Sequence, residues 1–114
     1  MLKVENISSL DVRGQKQFMV SVGDGEAQSF TITLPAGQWS TSVITNELIR
    51  YKYSQDAVEA IVNNHFLNIA DWLDAKFNGS SDSFSDPEYE VFQAWRAECK
   101  TLAKEINKAI ESIL

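Results

Sequence analysis

The sequence predicts an α+β domain: an N-terminal antiparallel β-hairpin, with a candidate third strand at its edge, packed on a C-terminal antiparallel helical hairpin with a short connecting helix between them. Three observations predict it. Two segments of alternating apolar and polar residues flank a glycine-containing turn in the first third of the chain. Two long segments in the remainder carry apolar residues at steps of three and four, the spacing of one helix face. Each long segment has its own start signal, and only a short polar loop separates them, which makes them antiparallel neighbours.

Residues 1–7 alternate weakly, with Leu2 and Val4 set among charges, as in a short edge strand. Residues 8–15, which include Gly14, read as a connection. Residues 16–22 make a clearer strand, with Phe18, Val20 and Val22 on one side and Gln17, Met19 and Ser21 on the other. Gly23-Asp24-Gly25-Glu26 is the turn, its two glycines free to adopt positive φ. Residues 28–34 form the partner strand, with Phe30, Ile32 and Leu34 facing one way and Ser29, Thr31 and Thr33 the other. The two apolar triplets match in spacing and give the hairpin one apolar face. A lone hairpin is not stable in water, so helices or another chain must cover that face.

Pro35-Ala36-Gly37 ends the strand. Trp39, in the loop that follows, is read as a plug at the bottom of the core, with an exposed anchor for a partner as the alternative. Ser40, Thr41 or Ser42 can cap a short helix over residues 43–51, with Ile44, Leu48 and Ile49 inside. Ser54 caps a second helix that runs to Phe77, in which Val58, Ile61, Val62, His65, Phe66, Ile69, Trp72, Leu73 and Phe77 recur at helical spacing. Asn78-Gly79 stops it, and residues 80–85 form a polar loop containing Phe84.

The last helix opens with Asp86-Pro87-Glu88: Asp caps free N–H groups, and Pro gives up an N–H that has no partner in the first turn. Phe92, Trp95, Cys99, Leu102, Ile106, Ala109 and Ile113 then form a seam of period 3.5, which Tyr89, Val91, Ala103 and Ile110 widen into a face. That is more apolar surface than one antiparallel neighbour covers. Trp39, Phe92, Trp95, Leu102, Ile106 and Ile113 are therefore the candidate interface, and self-association through the helices and the β edge is expected, with a two-fold homodimer as the simplest closed form.

A chain of 114 residues fits one domain, with a β region over 1–38 and a helical region over 39–114. Three Trp and six Phe suffice for a core. The net charge is −6; residues 1–40 carry three Lys/Arg against four Asp/Glu, and residues 41–114 carry seven against twelve. This balance, with no basic tract, disfavours DNA and RNA as partners. The acidic groups are interleaved with Lys and Arg, which describes a solvated surface rather than a mimic of DNA. With a single cysteine there is no internal disulfide, and Cys99 on the apolar seam is read as a small buried hydrophobe. The N-terminus has no basic region followed by an apolar run, and no apolar stretch approaches the ~20 residues needed to span a bilayer.

No constellation calls for catalysis, metal or cofactor. His65, the only histidine, has Ile61 and Ile69 one turn away on either side, so no metal pair forms and a partly buried structural role is expected. Asp71 and Asp74 share a helix face, but nothing beside them orients a substrate. Gly23-Asp24-Gly25 lacks the lysine and following helix of a phosphate loop. Asp82, Asp86 and Glu88 lack the glycine and terminal Glu of a calcium loop. Asn63-Asn64-His65 is a polar insert, read as an outward turn rather than a contact to a partner or to the hairpin.

Leu48-Ile49-Arg50 followed by Tyr53-Ser54, then Ala57, Ala60-Ile61 and Asn64, and later Phe92, Trp95-Arg96, Lys100 and Ala103-Lys104, resembles small proteins encoded among the structural genes of bacteriophages. In those proteins a short β segment precedes a helix with a Leu-Ile-Arg-x-x-Tyr-Ser-like run, and a second helix carries spaced Trp, Arg and Lys. The resemblance covers about residues 48–104, and the long region before Leu48 departs from it. It implies a virion or tail accessory protein with no catalytic residues. The expected function is thus a phage-type structural or accessory protein acting by protein–protein contact, as a homo-oligomer or docked on a larger phage assembly. Its expected place is the cytoplasm of the producing host cell, or the virion. The alternative is a small acidic phage inhibitor of a host defence protein. Gene neighbourhood separates the two: capsid and tail genes favour the first, an early cluster of small genes the second.

Overall fold

The structure, a computed structural model, describes residues 2–25 and 28–114. Met1 at the start of the expected edge strand and Glu26 in the expected turn lie outside the described residues. Six elements follow one another: β1 (Leu2–Val12), β2 (Gln15–Asp24), β3 (Ser29–Thr33), α1 (Thr41–Lys52), α2 (Gln55–Phe77) and α3 (Pro87–Ile113). The fold is α+β, an antiparallel sheet of order β1-β2-β3 followed by three helices.

The third strand is real and longer than the sequence suggests. Residues 8–12 are strand, not connection, and pair with β2 down to Val12↔Gln15. Arg13 and Gly14 make a two-residue turn with φ of 51° and 81°, the mirror-image geometry that suits the twist of a hairpin. Ser8 to Asp11 are exposed, so backbone pairing holds this half of the edge strand without an apolar pattern. A bulge between Val4 and Asn6 inserts one residue, which lets Leu2, Val4 and Ile7 all lean on the core although their spacing changes from two to three.

The hairpin face forms as expected. Val20 pairs with Ile32 and Val22 with Phe30, and Phe18, Val20, Val22, Phe30, Ile32 and Leu34 are all buried. The caps of all three helices are among those read, although α1 starts at Thr41, two residues before the expected start. Ser40 Oγ accepts from the Val43 N–H at 3.3 Å, Ser54 Oγ from Ala57 at 3.1 Å, and Asp86 Oδ1 from Tyr89 at 3.3 Å.

α3 is the spine. Its C-terminal half lies beside α1, α3 against β1 and α1 against β3: Cys99, Leu102, Ala103, Ile106 and Ile110 are buried with Ile44 and Leu48 and the strand residues. α1 runs antiparallel to it. Trp39, just before α1, bonds Asn107 and Glu111, whereas Lys52 at the end of α1 lies over the Trp95 ring at 4.2 Å. α2 continues in the same sense after the break at Tyr53-Ser54, with Tyr53 edge-on to Phe92 and His65 and Asn68 on Asp86. Residues 69–77 therefore extend past the start of α3, with only the returning loop beside them.

The helical hairpin of α2 and α3 is thus antiparallel but short, and α1 supplies the main cover for the long seam. Only Ile61 of α2 is buried. The chain is elongated, 62 × 32 × 20 Å, with a radius of gyration of 18.4 Å. A compact chain of this length has about 13 Å.

Candidate protein-interaction surface

One side of α2 is fastened to the protein and the adjacent side is bare. The fastened side starts with Ile61 and continues through His65, Asn68 and Trp72. Asp86, 6% exposed, accepts three hydrogen bonds: from Asn68 Nδ2 at 3.2 Å, from the Tyr89 N–H at 3.3 Å, and one shared with His65 Nδ1 at 2.8 Å. The bond from His65 is the main reason the Asp86 carboxyl titrates below its ordinary value, against the opposing effect of burial; Asn68 and the Tyr89 N–H add to it. The His65 ring stacks on Tyr89 with centroids 3.5 Å apart, and Phe84 meets its edge. One turn further on, Trp72 Nε1 donates to the Asp82 carbonyl at 2.9 Å and its ring packs on Phe84.

This cluster joins the middle of α2 to the cap of α3, the structural role read for His65. In nucleophilic catalysis a histidine–carboxylate pair activates a Ser, Thr or Cys in hydrogen-bond reach. No Ser, Thr or Cys among the described residues bonds His65. Cys99 lies 13 residues along α3 from Asp86, about 20 Å at helical rise. Burial pushes its thiol up to about 12. Among the described residues no three His, Cys, Asp or Glu are placed to hold a metal ion. Asp86 is spent on the cap and on His65 rather than on a calcium loop, and Asp71, Asp74, Asn63 and Asn64 face solvent.

The bare side carries Phe66, Leu73 and Phe77, exposed at 64%, 54% and 91%, with half-buried Val62 and Ile69 in line with them. Single exposed apolar residues are ordinary. A continuous apolar stripe about 22 Å long on a helix is not. At its N-terminal end, Val62 also lines a groove of about 260 Å³ at the α1–α2 joint, with Ile49, Tyr53, Val58, Phe92 and Arg96.

The structure redistributes the six interface candidates. Phe92, Trp95, Leu102 and Ile106 are buried within one chain, so they are core and offer no surface to a partner. The expectation failed there because α1 and the sheet together cover what a single antiparallel helix could not. Trp39 is half-buried, edge-on to Phe18 at 5.5 Å, with its Nε1–H on Glu111: it is the plug, not the anchor. Ile113 alone is exposed, at 56%, beyond the last turn covered by the core. The exposed residues not singled out were Phe66, Leu73 and Phe77, read only as part of the apolar repeat of the second helix. Their signal was angular: they sit about 120° around α2 from Ile61, His65 and Trp72, more than one neighbour can cover.

In comparisons with protein-family models, curated proteins and solved structures, nothing matched this chain. What the fold and surface define is a class: an α+β domain with one unpartnered helix face. Among the described residues no helix is long and apolar enough to cross a membrane.

Proposed function

We propose that this protein acts by binding protein rather than by catalysis, as a structural or accessory component of a bacteriophage assembly. The observation that supports this reading is the uncovered apolar face of α2. A domain that buries Phe18, Trp95 and Ile106 so fully has no folding reason to leave Phe66, Leu73 and Phe77 in water. The bacteriophage assignment rests on the resemblance over residues 48–104.

The β edge is the weaker candidate surface. β1 interrupts its own edge with the Val4–Asn6 bulge and carries Lys3, Glu5 and Asp11, features that discourage strand addition. The alternative role, an acidic inhibitor of a host defence protein, is favoured by Asp71 and Asp74, which stand exposed on the same helix as the stripe and suit a basic target.

Quantitative mass spectrometry of particles and assembly intermediates purified from the producing cell tests the assignment. A structural or accessory component is present in fixed proportion to the major capsid or tail protein. Its absence from both fractions would overturn this role and favour the inhibitor.

A further inference from the structure

We infer that the partner on the α2 face is a second copy of this chain, laid antiparallel along the stripe about a two-fold axis. The inference deepens the protein-binding reading and rests on it. It begins with area. The chain exposes 7517 Å². A monomer of 12.8 kDa is expected to expose about 6300 Å². The excess, about 1200 Å², exceeds the ~800 Å² that each partner contributes to an interface of standard size.

The sequence of the stripe then selects the occupant. Glu59, Val62, Phe66, Ile69, Leu73 and Lys76 follow one another at steps of three, four, three, four and three, an unbroken coiled-coil seam. This order of steps is the same read in either direction. An antiparallel copy therefore matches the seam along its whole length, about 25 Å, pairing Glu59 with Lys76, Val62 with Leu73 and Phe66 with Ile69 of the second copy. The two charged seam positions sit at opposite ends and have opposite sign. In the antiparallel pair each Glu59 meets a Lys76. In a parallel pair Glu59 would face Glu59 and Lys76 would face Lys76, so the charges select the orientation as well as the register.

Both charged groups are free to do this. Glu59 is exposed and bonds only Gln55, at 3.3 Å. Lys76 is exposed, with its Nζ 5.3 Å from the centroid of the Trp72 ring. No ion pair engages either among the described residues. The seam of α3 has the same period, but α1 and the sheet cover it. The seam of α2 is left open at Phe66 and Leu73 and only half-covered at Val62 and Ile69.

The test is sedimentation equilibrium of the full chain across micromolar concentrations, with charge-swapped variants whose helical content and Tm are checked against wild type. Wild type is expected at twice 12.8 kDa. Glu59→Lys or Lys76→Glu alone sets like charges together at both ends and should weaken the dimer at least about tenfold. The double variant, Glu59→Lys with Lys76→Glu, should restore it, and Phe66→Asp should abolish it. A strict monomer overturns the inference. So does a dimer that the double swap fails to restore, because the antiparallel register is then wrong. Photo-crosslinking from position 66 separates this failure from that of the broader reading: a monomer that still crosslinks to a different protein there keeps the protein-binding function and loses only the second copy.

Discussion

His65 Nδ1 lies 2.8 Å from Asp86 Oδ2, and through that one bond the middle of α2 is fixed to the residue that caps α3. The pair has a pH dependence of definite sign. The folded Asp86 carboxyl ionises below its ordinary value of 3.8, so its contribution is fully present above that pH and fades as the pH falls through the lowered value. Asp86→Asn should lower Tm at neutral pH, and the gap from wild type should close in acid below pH 3.8. Thermal melts of both proteins along a pH series check this. A gap that holds constant or widens in acid would contradict the assignment.

The two tryptophans of the long helices should behave differently. Trp95 is 5% exposed in the core, and Trp95→Ala is expected to cost about 3–5 kcal/mol in urea unfolding. Trp72 is half-buried against a loop, and Trp72→Ala should cost about 1–2 kcal/mol. Equal losses would mean that the far end of α2 is packed more deeply than the fold shows.

Cys99 should be silent. It is fully buried, and its thiol is pushed up to about 12. A thiol reagent such as Ellman's is expected to leave the native protein unlabelled and to react fully once urea is added. Rapid labelling of the native chain would show that the α1–α3 core opens readily.

α2 should be the least stable element. With one buried residue it depends on its cap and on the His65 contact more than on packing. Ser54→Ala should cost about 1 kcal/mol. Amide exchange should rise in the first turns of α2 while α3 keeps its protection. A uniform rise across all three helices would indicate one cooperative unit instead.

The α+β class, the hairpin face and all three helix caps were legible in the sequence because each is a local property. Phe18-x-Val20-x-Val22 alternates, and Ser54 and Asp86 announce their caps. The second half of β1 was not legible: Ser8 to Asp11 are held by backbone pairing, which leaves no mark on side-chain pattern. The burial of Phe92, Trp95, Leu102 and Ile106 within one chain was not legible for a different reason. Period 3.5 shows that a helix face is apolar but not what covers it, and the seams of α2 and α3 look alike until α1 is seen lying on one of them. Trp39 was legible only in part: the sequence favoured a plug yet kept it among the interface candidates, and its edge-on contact with Phe18 decides between them.

The most direct test of the central claim, that the outer face of α2 is a surface covered by protein, is site-specific photo-crosslinking in the producing cell. A photoreactive phenylalanine analogue replaces Phe66 or, in a second variant, Leu73, and a control carries it in place of Asp11 on the exposed edge of β1. Discrete protein adducts from positions 66 and 73, and none from position 11, are the predicted result. No adduct from either α2 position, or equal adducts from the control, would contradict it.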